Sequence, residues 1–162
     1  MPIGQLSEII PQKPKGRLLA MDIGTKTIGL AVSDPPQKIA TSLKTLYRKK
    51  FTKDILILED IIKDYEICGY ILGYPVNMDG SEGAKTQSIK HFAYEMANHP
   101  DIFGDNPWIA FYDERLSTQS VDEFLVNSVD MTRKKRAKVI DSLAAQKFLQ
   151  EALNSREMHH TA

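Results

Sequence analysis

The sequence predicts an α/β fold: a mixed five-stranded sheet with helices on both faces, in the element order βββαβαβα. Two observations lead there. Residues 17–46 hold three short strand-like runs with short connections, which pair most simply as an antiparallel meander. Beyond them, stripes at helical spacing alternate with apolar runs of strand length, the pattern of crossover connections and parallel pairing.

The totals fit that class. A chain of 162 residues forms one domain with a core that needs no staples. Lys+Arg and Asp+Glu are equal at 21 each, so any nucleic-acid reading rests on local clusters rather than on net charge. The single cysteine, Cys68, excludes an internal disulfide and suits a reducing compartment; within its apolar run it reads as a small buried hydrophobe. No stretch approaches the ~20 apolar residues of a membrane span, and no long apolar signal core opens the chain, which predicts a cytoplasmic location.

Residues 1–16, with Pro2, Pro11, Pro14 and Gly16, read as a loosely attached arm. The first strand covers 17–22 and the second 27–33, stopped by Pro35-Pro36. A third, 39–46, alternates Ile39, Thr41, Leu43 and Thr45. Phe51, Ile55, Leu58, Ile62 and Tyr65 then form a helical stripe. Arg48, Lys49, Lys50 and Lys53 sit at its start and the acids later, against the helix dipole, which points to another use for the basic end. Residues 67–72 read as a strand buried on both faces, followed by a turn-rich loop through Gly83. Ile89, Phe92, Ala93 and Met96 mark the next helix; 101–107 is loop and 108–112 a strand. Ser117 or Thr118 caps a helix with the stripe Val121, Phe124 and Leu125. The last helix covers 132–153, leaving 154–162 as a tail beyond a single domain at 17–153. This element order is that of the ribonuclease-H-like fold.

Three carboxylates carry the chemistry. Asp22 ends the first strand inside an apolar run, where a buried unpaired charge costs several kcal/mol unless compensated by a partner, a metal ion or a turn-capping role. Asp141 lies three and four residues before Ala144 and Ala145, on the apolar stripe continued by Phe148, Leu149 and Ala152; its alternative is a structural bond to backbone or to Lys138. Glu114 ends a strand as Asp22 does, with Asp113 as its rival, because adjacent strand residues face opposite ways. Ligands of open α/β sheets bind beyond the carboxyl ends of parallel strands, where these acids could meet. Acids gathered there repel unless a cation sits among them, and oxygen ligands without a His or Cys cluster favour Mg²⁺ or Mn²⁺. Such ions activate water in phosphodiester cleavage. The basic run Arg133, Lys134, Lys135, Arg136 and Lys138 precedes Asp141. With Lys26 and Arg115 it forms the candidate nucleic-acid contact, against the alternative of a solvated face.

Four stretches carry a resemblance: Met21 through Asp34, Gly73-Tyr74-Pro75-Val76-Asn77-Met78-Asp79-Gly80-Ser81-Glu82-Gly83, Asp113-Glu114-Arg115-Leu116-Ser117-Thr118 and Asp141-Ser142-Leu143-Ala144-Ala145. In this order they resemble the YqgF family, also called RuvX-like pre-16S rRNA nucleases or Holliday junction resolvase-like proteins. The resemblance covers roughly 17–153. It implies a ribonuclease-H-like fold and a metal-dependent nuclease that matures the 5′ end of 16S rRNA, with Asp22, Glu114 and Asp141 as its acidic triad. Tyr74 stands where the family more often has Leu, a change that bears on the contacts of the 77–83 loop. Ribosomal assembly particles are candidate partners, and the chain acts as a monomer or homodimer. Alternatives are a resolvase of four-way DNA junctions, which needs a dimer; a non-catalytic rRNA-binding protein; and an ATP-binding module, since Asp22-Ile23-Gly24-Thr25 also resembles the phosphate loop of actin-like and sugar-kinase ATPases.

Overall fold

The computed structural model describes residues 2–116, 133–155 and 158, and the side chains of all of these except 116 and 133–141. The strands are β1 (Ile3–Gln5), β2 (Arg17–Ile23), β3 (Thr27–Ser33), β4 (Ala40–Tyr47), β5 (Ile67–Tyr74) and β6 (Ile109–Asp113). The helices are α1 (Leu6–Ile9), α2 (Phe51–Tyr65), α3 (Ala84–Ala97), α4 (Pro100–Phe103) and α5 (Arg133–Asn154), with 3-10 turns at Ile10–Gln12 and Glu114–Leu116.

One mixed sheet has the order β1-β6-β5-β2-β3-β4. The expected meander is present as antiparallel β2, β3 and β4, and β5 and β6 add in parallel beside β2. This is the expected ribonuclease-H-like order, with six strands rather than five. The extra strand corrects the reading of a loose arm: Ile3 to Gln5 pair in parallel with Ile109 to Phe111. Leu6, Ile9 and Ile10 are buried, and the Trp108 indole N–H donates to the Ile9 carbonyl at 2.8 Å. The apolar 6–10 run is the physical reason, since it covers a sheet edge that would otherwise expose Trp108.

Alternation along the strands splits the core into two layers. Leu19, Met21, Tyr70, Leu72, Tyr74, Ile109 and Phe111 face one layer, with Ile55 and Leu58 of α2 and Ile89, Phe92 and Met96 of α3. Leu18, Ala20, Ala31, Ile71, Ala110 and Tyr112 face the other, with Ala145, Phe148, Leu149 and Ala152 of α5. Helices therefore cover both faces. Met158 is also buried in the second layer.

Three local expectations need correction. In β4 the buried residues are Ala40 and Leu46, not an alternating set from Ile39, which is 61% exposed. A register shift opposite Leu30 and Ala31 interrupts the alternation. Cys68 is exposed rather than buried. It lies beside the register shift between Arg17 and Leu18, where its sulfur occupies the space a β-carbon on Gly16 would need. The short α4 opens at Pro100 and runs into the expected loop 101–107, and its Phe103 meets Tyr70 edge-on at 5.6 Å. The cap at Ser117 or Thr118 and the stripe Val121, Phe124 and Leu125 lie outside the described residues.

Candidate active site

A cleft of about 370 Å³ opens at the carboxyl ends of β2, β5 and β6. Asp22, Ile23, Gly24, Thr25, Gly73, Pro75 and Glu114 line its sheet side, and Arg48, Lys85, Ser88 and Ile89 complete it. The strand register brings the two acids together. Met21 pairs with Leu72 and Gly73 with Tyr112, so Gly73 stands on the strand between β2, which carries Asp22, and β6, which Glu114 directly follows. Leu18 and Ala20 face the α5 layer, and Asp22 continues their alternation. Tyr112 stacks on Phe148 at 6.0 Å, and Glu114 lies two residues beyond it.

Glu114 reaches back over Gly73. A β-carbon at Gly73 would collide with the Glu114 carboxylate and lie 3.2 Å from the Phe148 ring. Only glycine leaves that carboxylate room. Burial pushes the Glu114 carboxyl up to about 7; the negative charge of Asp22 adds to the rise, and Lys85 opposes it.

Asp113 points elsewhere. Its carboxylate accepts from the Arg115 backbone N–H at 2.9 Å, from Nε at 3.1 Å and from Nη2 at 2.7 Å, and this pairing holds it below the usual carboxylate range. The structure thus separates two neighbours that the sequence left as rivals: Glu114 lines the cleft and Asp113 forks Arg115. Arg115 stands next to the 77–83 loop, with Nη1 3.5 Å from where a β-carbon on Gly80 would be. Lys26 lies exposed in the β2–β3 turn, beside the cleft residues Gly24 and Thr25.

Asp141 and the run Arg133, Lys134, Lys135, Arg136 and Lys138 belong to the helical backbone of α5, Asp141 one turn before buried Ala145. Their side chains lie outside the described residues. Among the described residues no group of three His, Cys, Asp or Glu is gathered. The two acids present fit a hard divalent cation: both donors are oxygen, and their mutual repulsion is what a bound cation relieves.

Sequence reasoning passed over Lys85 and Ser88 at the start of α3, which nothing in their local pattern singled out. It noted Arg48 only through the inverted charge order of α2. Tyr74 does bear on the loop. Its hydroxyl donates to Glu82 at 2.5 Å, Lys90 donates to the same carboxylate at 3.0 Å, and the Tyr74 ring stacks on Phe111 at 4.9 Å.

The RuvX family model, described as Holliday junction resolvase, matches residues 16–155. The chain belongs to the RuvX family. Two similar proteins, both named "Putative pre-16S rRNA nuclease", come from Rhodospirillum centenum and Nitrobacter hamburgensis. The first is 44% identical over 155 residues, covering 95% of this chain and 82% of the relative. The second is 48% identical over 140 residues, covering 86% and 82%. Among solved structures, T. thermophilus RuvC in complex with Holliday junction substrate matches at 12% identity and a TM-score of 0.49, covering 91% of this chain and 98% of that one. The RuvX match spans Asp22, Gly73, Glu114 and Asp141.

Proposed function

We propose that this RuvX-family chain is a nuclease that hydrolyses phosphodiester bonds in processing the 5′ end of pre-16S rRNA, using Mg²⁺ or Mn²⁺ held by Asp22, Glu114 and Asp141. The observation that carries the reading is the placement of Asp22 and Glu114 on either side of Gly73 in one cleft. The relatives' names support the substrate. Among the described residues no helix is long and apolar enough to cross a membrane.

When bound, the divalent ions supply Lewis acidity at the phosphorus and an activated water. The chain's own residues do the rest. Asp22, in β2, and Glu114, in the turn after β6, would hold the ions. Gly73 leaves the Glu114 carboxylate its place. Lys85 tempers the excess negative charge around Glu114. Lys26, Arg115 and the run 133–138 contact the nucleic-acid backbone.

A second reading, cleavage of four-way DNA junctions, follows from the family's description. The test offers purified protein a labelled pre-16S 5′ leader and a four-way junction with Mg²⁺ or Mn²⁺. Cutting of the RNA alone supports rRNA processing. Symmetric cutting of the junction alone, by a dimer, replaces it with the resolvase reading.

A further inference from the structure

We infer that Arg48 is a substrate-binding residue that grips a backbone phosphate in the cleft, with Lys85 as the second cation lining it. The inference rests on the nuclease reading and names how the cleft holds its substrate opposite the carboxylates.

Arg48 is the first residue after β4. Its backbone N–H donates to the Lys26 carbonyl at 2.8 Å, and its Nη1 donates to the Gly24 carbonyl at 2.5 Å. Its guanidinium carbon lies 5.7 Å from the centroid of the Phe92 ring, which is buried and meets Phe51 edge-on at 5.2 Å. The head group is thus fixed between the turn that follows Asp22 and a ring on α3.

Both of those partners are neutral. No ion pair among the described residues includes Arg48. Arg48 is half-buried as a residue, and an arginine partly removed from water is ordinarily stabilised by a carboxylate. Here one of five donors serves the Gly24 carbonyl. A planar fork with spare donors suits a phosphate, which accepts two parallel bonds. Lys85 lines the same cleft from the first turn of α3, a turn without an acidic residue. Asp22 and Glu114 line it too, so a phosphate held by the two cations would lie in the same cleft as the acids that would hold the metal.

The rival is a purely structural arginine that ties the 24–26 turn to α3. Binding of the labelled pre-16S leader RNA is measured in metal-free buffer across a salt series, for wild type, Arg48→Ala, Arg48→Lys and Lys85→Ala, with thermal unfolding alongside. We expect Arg48→Ala to weaken binding severalfold and to lower the slope of log Kd against log salt by about one. Arg48→Lys should keep the slope but bind more weakly than wild type, because the charge stays and the fork is lost. In cleavage, Arg48→Ala should raise KM more than it lowers kcat. Should Arg48→Ala fail to fold, weaker binding by Arg48→Lys and a Lys85→Ala slope lower by about one decide for the inference. Unchanged affinity and slope in folded variants of a wild type that cuts RNA would overturn this inference alone. A wild type that neither binds nor cuts RNA would overturn the nuclease reading with it.

Discussion

Gly73 occupies the one point in β5 where a β-carbon would run into the carboxylate of Glu114. The relationship explains why an apolar strand buried on both faces carries a glycine near its carboxyl end. Gly73→Ala should therefore displace Glu114 and crowd Phe148. Overpacking of this kind costs about 1–3 kcal/mol. Thermal unfolding and cleavage should both suffer. Adding Glu114→Ala should recover part of the stability and none of the activity. Additive losses in the double variant would contradict the collision.

The Glu114 carboxyl gives a pH signature. Its ordinary value is 4.5, and in the fold it is pushed up to about 7. Between these values the fold keeps a proton that the unfolded chain has released. The stability linked to Glu114 is then complete below pH 4.5 and is lost as pH rises toward about 7. Metal-free wild type should lose thermal stability over that window relative to Glu114→Gln. Parallel Tm profiles would refute the assignment. Mn²⁺ affinity should move the opposite way and rise through the same window, because the ligand must shed its proton.

Tyr74 ties the loop over residues 75–83 to the sheet. Tyr74→Phe keeps the stack on Phe111 and removes the bond to Glu82. The expected cost is about 0.5–1.5 kcal/mol, with faster hydrogen exchange confined to the loop and the start of α3. Exchange unchanged in the loop would show that the Lys90–Glu82 pair suffices.

Much of this was legible in the chain. The stripes of α2 and α3 follow from periodicity, and the two-sided burial of β5 from an unbroken apolar run of strand length. Asp22 was legible as a carboxylate at the end of an apolar strand. Residues 3–5 were not, because three residues carry no periodicity and only the β6 edge makes them a strand. The partition of Asp113 and Glu114 turned on the 3-10 turn at Glu114–Leu116 and on the fork to Arg115, neither of which spacing reveals. The exposure of Cys68 is not legible in its apolar run, because the strand enters the sheet through a register shift that composition does not reveal.

The N-terminal edge strand offers its own check. Deleting residues 1–10 removes β1 and the acceptor for the Trp108 indole. We expect a lower Tm and a red shift of Trp108 fluorescence. An unshifted spectrum would mean that the segment does not cover that ring in solution.

The decisive experiment is cleavage of the pre-16S 5′ leader by Asp22→Asn beside wild type, at fixed Mg²⁺ or Mn²⁺, with thermal unfolding of both. If Asp22 and Glu114 hold the metal, the variant stays folded and loses cleavage by orders of magnitude. A folded variant that cuts as fast as wild type would contradict the metal-holding role of the cleft.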